Sequence, residues 1–487
     1  MQYVSTRGGP PVSGIEAVCR GISRTGGLYV PESPPNPLSL SSMKGMPFQQ
    51  VMAAFYHRFL PDLPLVTWEA VVRDAFHSLA DNEQVPSLPL ARLNDYLDRY
   101  FLINADHLPT GSLSDLTRAV FSKLWPLLPK TDHTGLVLAL LPEDSLVSFT
   151  GQELDPLKIL FLSAGGARGG ELAARALSRE HIRLFEGSFD ARYREFARLA
   201  AEPSFEEKLN DRGFSPLFFG PGHLLEALTA GALATAVAAS IAVLFEEEKK
   251  LDFAVPKDHL SFMAGLVYAS ILQIPLGTVY VGESEPASLM PLFRTGKPAH
   301  PAKKKRAGSA GTDFPVNLEL LLFEVTGRDG KKTGFLCEQA ANPGEQLLSE
   351  DEIHLLNQSI VVGSCDYKYC LRLIRTVYDQ TDYLVNRDTA DAIACWARHA
   401  DRKEDSAVCF VQERSPLLDA TVCARALFGK ESDKMNAILM VSEETGVPLW
   451  PSLAKISEDS QEADWPVLTG SIEESVYQLL DSQDAGR

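Results

Sequence analysis

Positive charge is what this sequence is shortest of. It carries 46 Lys and Arg against 64 Asp and Glu, a formal net charge of −18, and its pI is near 5.1. So acidic a chain is excluded from general binding to nucleic acid or to an anionic membrane, since both need positive potential. Cysteine is sparse and scattered: Cys19, Cys337, Cys365, Cys370, Cys395, Cys409 and Cys423. An odd number without tight spacing reads as free thiols in a reducing, cytoplasmic setting, not as a disulfide framework. Cys365 and Cys370 lack zinc-ribbon spacing, and the ten histidines gather at neither metal-ligand nor triad spacing, so no metal is expected. The N-terminus has no apolar core and does not read as a signal peptide. No internal repeat is visible. Long hydrophobic runs reduce to one, Leu224 to Phe245, which Glu226 interrupts early and Glu246-Glu247-Glu248-Lys249-Lys250 follows. Its small residues suit a tightly packed buried helix better than a membrane span.

What is present is ordinary for a large globular protein. At 487 residues, 45% hydrophobic and 23% charged, the chain can build two or three domains with sizeable cores. Residues 1 to about 95 read as a first, mostly helical unit, with helices over Phe48–Phe59 and Trp68–Leu79 and prolines at 61, 64, 86 and 89. A helix is expected from Asp115 to about Leu127, with Leu116, Val120, Leu124 and Leu127 on one face. Asp115 near its start suits the helix dipole. Buried parallel strands are expected at Gly135–Leu141, Lys158–Leu162, Ile182–Phe185, Leu251–Pro256 and Gly277–Val281, and a last helix over Ile472–Leu480. Strands alternating with helices imply parallel α/β architecture.

Two stretches invite chemistry that their spacing does not support. Gly165-Gly166-Ala167-Arg168-Gly169-Gly170 lies between a strand and a helix but fits neither phosphate-loop nor dinucleotide-loop spacing. Lys303-Lys304-Lys305-Arg306 sits in a loop, where a short basic run is ordinarily just solvated.

Other segments carry a resemblance. Met1-Gln2-Tyr3-Val4-Ser5-Thr6-Arg7-Gly8 and Gly26-Gly27-Leu28-Tyr29-Val30-Pro31-Glu32 are similar to M-x-Y-x-S-T-R-G and G-G-L-Y-V-P-E of threonine synthases. Leu292-Phe293-Arg294-Thr295-Gly296 and Asn317-Leu318-Glu319 resemble that family's F-F-R-T-G and N-L-E. His107 with Leu108 through Asp115 resembles its H-G-P-T-x-x-F-K-D, in which the lysine holds pyridoxal phosphate (PLP). His107, Pro109, Thr110 and Asp115 agree, but the lysine position is Ser114. A hydroxyl can neither form a Schiff base nor carry protons as an amine does.

The resemblance implies a fold and a site. The expected fold is α/β and threonine-synthase-like: the helical N-terminal domain over residues 1–95, then two interleaved parallel-sheet subdomains of PLP fold type II over 96–487. The family's cofactor-phosphate loop, V-P-T-G-N-F-G-N, falls on Val255 to Phe262 and has lost both glycines, leaving Lys257, Asp258, His259 and Ser261 as its degenerate remnant. Lys257 and His259 are candidates for holding some other anion at that helix start. The substrate loop falls on Ala139 to Ser145, where Glu143 and Asp144 would repel an anionic substrate. The family's histidine segment puts Asp388 in the histidine's place, and the segment with its expected threonine puts Val411 there. His107, Thr110, Asp115 and Asp388 are the substrate-pocket candidates, His107 being the one histidine read as pocket-lining.

Loss of lysine, glycine nest and substrate loop together implies a binding or regulatory protein without PLP-dependent catalysis, needing no cofactor and pairing with itself or an active paralogue. A second reading keeps a PLP-dependent lyase that converts O-phosphohomoserine to threonine and phosphate, with Lys257 as the relocated lysine; Lys123, about 13 Å along the helix from Ser114, is too far away. A third puts a different activity around His107, Ser114, Asp258 and His259.

Overall fold

The protein is described by a computed structural model covering residues 1–80, 87–93, 99–128, 132–141, 158–163, 182–244, 250–257, 260–298, 315–340, 346–401, 407–450 and 467–484. Within them the strands are β1 (Gln2–Ser5), β2 (Val12–Ser13), β3 (Tyr29–Pro31), β4 (Leu90–Arg92), β5 (Tyr100–Asn104), β6 (Thr134–Leu141), β7 (Lys158–Ser163), β8 (Ile182–Phe185), β9 (Phe214–Phe219), β10 (Leu251–Pro256), β11 (Leu276–Ser284), β12 (Ile360–Cys365), β13 (Ala407–Gln412) and β14 (Val467–Leu468). They form three sheets: an antiparallel β2-β1-β3 at the N-terminus, a six-stranded β12-β11-β10-β13-β5-β4, and a five-stranded β14-β8-β7-β6-β9. The five-stranded sheet is parallel throughout, and in the six-stranded one only β4 runs antiparallel, against β5.

The parallel strands fall where uninterrupted apolar runs place them, because a parallel strand is covered by helices on both faces. β13 is buried along its whole length, and all but Asp252 of β10 is buried. All five expected strands are present within a residue or two, except that β11 runs three residues past Val281.

The helices that shape the interior are α1 (Phe48–Phe59), α2 (Leu65–Leu79), α3 (Ser114–Leu124), α4 (Leu224–Ala242), α5 (Ser261–Ile271), α6 (Leu318–Val325) and α7 (Arg387–His399). α3 continues as a tighter turn through Leu127. α1 and α2 bury one face each, and Tyr56 of α1 stacks on Trp68 of α2 with ring centroids 4.9 Å apart. α4 is apolar all round and long enough to cross a membrane by length and composition, yet it is wrapped by protein on nearly every side. Its cap is His223, whose Nδ1 accepts from the Leu225 amide at 3.1 Å and whose Nε2 donates to the Val18 carbonyl at 3.0 Å. Burial pushes the His223 pKa down to about 4.

α4 and α5 meet backbone to backbone. A Cβ at Gly231 would lie 2.8 Å from the Gly265 carbonyl and 2.5 Å from the Phe55 ring; one at Gly265 would lie 2.5 Å from the Gly231 nitrogen. Only glycine at both positions allows this approach.

A second tie joins the N-terminus to the interior. Arg7 donates from Nε at 3.0 Å and Nη2 at 2.7 Å to the two oxygens of Glu319 on α6, and the Thr6 hydroxyl also donates to Glu319. Glu319 is buried, so the bidentate pair fixes the register between the first strand and α6.

Candidate functional site

Segment 108–115 is folded by three local devices. Gly111 adopts φ +62°, and a side chain there would strike the Trp450 indole at 1.9 Å. The segment is zipped onto the chain just after β13: Leu113 N–H donates to the Glu413 carbonyl at 2.8 Å, Ser415 N–H to the Gly111 carbonyl at 2.6 Å, and Ser112 bridges Arg414. Finally Asp115, fully buried, accepts from the Thr110 amide at 2.7 Å, the Thr110 hydroxyl at 2.8 Å and Arg118 Nη1 at 3.0 Å. These fixings leave Ser114 as the first residue of α3, partly exposed and facing a cavity.

That cavity lies toward the C-terminal ends of β6, β7 and β9, where open parallel sheets place their ligand sites. Ala139, Leu140, Phe161 and Phe219 come from the strands; Ser112 to Ser114, Leu116, Thr117 and Arg118 come from the start of α3. Glu226, Thr229, Ala230 and Leu233 come from α4, Ser261 and Phe262 from the start of α5, and Glu413 and Arg414 from the chain after β13. Its volume is about 90 Å³, room for several waters or one compact organic ligand.

Its charges are unevenly provided for. Arg118 is paired with Asp115, and Arg414 Nη2 lies 2.8 Å from Asp388 Oδ2. Glu413 Oε1 accepts from the Phe262 amide at 3.1 Å, so a carboxylate of the protein itself sits on the first turn of α5. Glu226 is different: its Oε2 is buried and has no hydrogen-bond partner. Burial pushes its carboxyl up to about 8, against the pull of the Arg118 charge.

The expected site residues are thus distributed unequally. Ser114 and Ser261 line the cavity, and the Asn317 amide donates to the Ser261 hydroxyl at 3.4 Å. Thr110 and Asp115 are consumed by each other and by Arg118, and neither reaches the lining. Asp388 stands behind Arg414. His107 is exposed and is not in the lining of this cavity, while its neighbours Leu108 and Thr110 are buried. Lys257 is also outside, with its ammonium hydrogen-bonded to Ser288 and 3.6 Å from Glu283, a buried carboxylate that accepts three backbone amides at the start of the next helix. Val411 is fully buried in β13, and Glu413, two residues on, lies in the cavity lining. Asp258 and His259, the loop from Pro142 to Ser145, Gly165–Gly170 and Lys303–Arg306 lie outside the described residues.

Arg118, Glu226, Glu413 and Arg414 are the site residues that motif matching missed. Glu226 had a signal, as the lone charge at the head of an apolar helix. The others are brought in by tertiary contacts of α3 and β13 and had none.

Cavity and sheet order define an α/β protein with a cavity at the carboxyl edge of a parallel sheet. Comparison with known proteins narrows the class. Residues 2–76 match the family model described as the threonine synthase N terminus. A comparison with curated proteins gave no match. Among solved structures, PLP-bound threonine synthase from Brucella melitensis superposes with a TM-score of 0.76 at 18% identity, over 99% of each chain. Threonine synthase from yeast gives 0.75 at 16% identity, over 100% of this chain and 99% of that one. The Escherichia coli enzyme gives 0.71 at 16%, over 99% and 100%. The chain therefore has the threonine synthase fold along essentially its whole length, with a threonine-synthase N-terminal region, as the sequence resemblance implied.

Proposed function

We propose that this chain is a threonine-synthase-like protein that has left PLP-dependent catalysis and uses the cavity for binding, in a regulatory role alone or beside an active paralogue. One observation carries the reading: the Glu413 carboxylate occupies the Phe262 amide at the start of α5, the helix onto which the resemblance puts the cofactor phosphate. A phosphate brought there would displace that carboxylate or face its like charge a few ångströms away. The residues around it agree. Ser114 presents a hydroxyl where the resemblance has the lysine, and among the described residues no lysine lines the cavity. Recruiting Lys257 would strip the counter-charge from buried Glu283. The residues present do not fit PLP.

The test is equilibrium dialysis of the purified chain against PLP, with a visible spectrum before and after borohydride. The expected spectrum is that of free PLP, with no stoichiometric adduct. One equivalent of PLP fixed at a single mapped lysine, Lys257 above all, would overturn the reading and restore a PLP-dependent lyase.

A further inference from the structure

We infer that the cavity is a binding site for a small organic cation, an amine on a compact apolar body, with Glu226 as its counter-charge. The inference rests on the reading that PLP does not occupy the cavity, and it names the ligand class of that same site.

Three observations converge on an amine. Glu226 is the one charged residue of α4, its carboxyl is turned into the protein, and Oε2 finds no donor. A buried carboxyl oxygen without a donor is costly wherever it occurs, and the Glu226 side chain is part of the cavity lining. A ligand N–H donated to this carboxyl would offset that cost. Second, the cationic side chains in the lining bring their own carboxylates, Asp115 behind Arg118 and Asp388 behind Arg414. With both guanidinium groups compensated, Glu226 on ionising adds a negative charge to the lining, which suits a cation and disfavours an anion. Third, the wall around Glu226 is apolar: Leu116, Leu140, Phe161, Phe219 and Leu233 enclose the space. The faces of two phenylalanines suit both a hydrocarbon body and a neighbouring ammonium. The volume, set against roughly 10–15 Å³ per water-sized centre, admits about six to nine heavy atoms.

Binding would move a proton. With Glu226 pushed up to about 8, the empty site at neutral pH holds a carboxylic acid. An alkylammonium ion entering forms a carboxylate–ammonium pair, and the acid proton leaves to solvent. Each ligand bound at about pH 7 or below therefore releases close to one proton, about half a proton at pH 8, and almost none above about pH 9.

Cyclopentylamine is a suitable probe, with cyclopentanol and cyclopentanecarboxylate as neutral and anionic matches of the same shape. Calorimetric titration at pH 7 in two buffers of different ionisation enthalpy reads both affinity and protons released. The expected result has the amine bound at least tenfold tighter than either match, with proton release that vanishes at pH 9. Glu226→Gln should weaken the amine at least tenfold and leave cyclopentanol unchanged, which also shows that the variant cavity is intact. Amine binding equal to that of the alcohol, carboxylate binding tightest, no binding of the amine, or an unaffected Glu226→Gln would each overturn the inference. The two failures are separable on the same preparation: an amine that does not bind while PLP also dialyses away sinks this inference alone, whereas PLP fixed at a lysine sinks the reading beneath it.

Discussion

Replacing Asp115 tests whether the surviving acid of the lysine segment is architectural. It is fully buried and accepts three hydrogen bonds, two from Thr110 and one from Arg118, which is itself almost fully buried. Asp115→Ala removes all three and takes the Asp115 counter-charge from the Arg118 guanidinium. Breaking one side of a buried pair costs about 3–5 kcal/mol, and loss of an acid from the first turn of α3 adds about 0.3–1 kcal/mol. A total of about 3–6 kcal/mol is a large share of the 5–15 kcal/mol that holds a typical protein together. Asp115→Asn should lose about half as much: its oxygen can keep the Arg118 and Thr110 hydroxyl bonds, while its NH2 turns a donor toward the Thr110 amide. Urea unfolding followed by tryptophan fluorescence is the assay, since buried Trp450 packs on Gly111 and donates to the Asp106 carbonyl at 3.1 Å, within the same segment. A midpoint for Asp115→Ala within about 0.5 kcal/mol of the parent, the range of ordinary surface substitutions, would refute the reasoning. Unchanged stability with loss of cavity binding would instead make Asp115 a ligand group.

Glu226 sets a pH dependence of opposite sense to that of most carboxylates. Its pKa rises from 4.5 to about 8 on folding, so the unfolded chain gives up the proton first and stability falls as pH climbs from 4.5 through 8. At 1.36 kcal/mol per pH unit the window is worth about 5 kcal/mol, and Glu226→Gln should gain on the parent by several kcal/mol between pH 5 and pH 9 in matched denaturation curves; parallel curves would contradict the burial of this carboxyl. Glu319→Ala should cost about 3–5 kcal/mol by stranding Arg7 and Thr6, and in a double-mutant cycle Arg7→Ala should add little on top of it; additive losses would mean the two residues act separately.

The parallel sheets were legible because burial on both faces writes a strand as a plain apolar run, as in β6 and β10. The N-terminal region was legible through motifs that hold each other: Thr6 and Arg7 of one segment grip Glu319 of another, 312 residues away from Arg7. The site was less so. Ser114 and Ser261 reach the cavity because a turn and a helix start aim them there. Thr110 and Asp115 agree with the family's pattern for a structural reason, as the clasp that makes the turn. His107, beside that turn, is exposed. Arg118, Glu413 and Arg414 enter only when α3 and β13 are laid side by side, a pairing that no spacing along the chain encodes.

The glycine contact between α4 and α5 has a bearing on selectivity. Glu226 stands about one turn above Gly231, and Ser261 about one turn above Gly265. The two jaws of the cavity are therefore riveted together at the level of its lining, like a caliper locked at one setting. At the contact itself only the Ala230 methyl and the Phe55 ring stand close, so a bulkier guest must shift whole helices, one of them threaded through the core. Such a gauge sorts guests by girth: a single added methylene should cost a ligand about 1–3 kcal/mol, where a softer pocket would stretch around it.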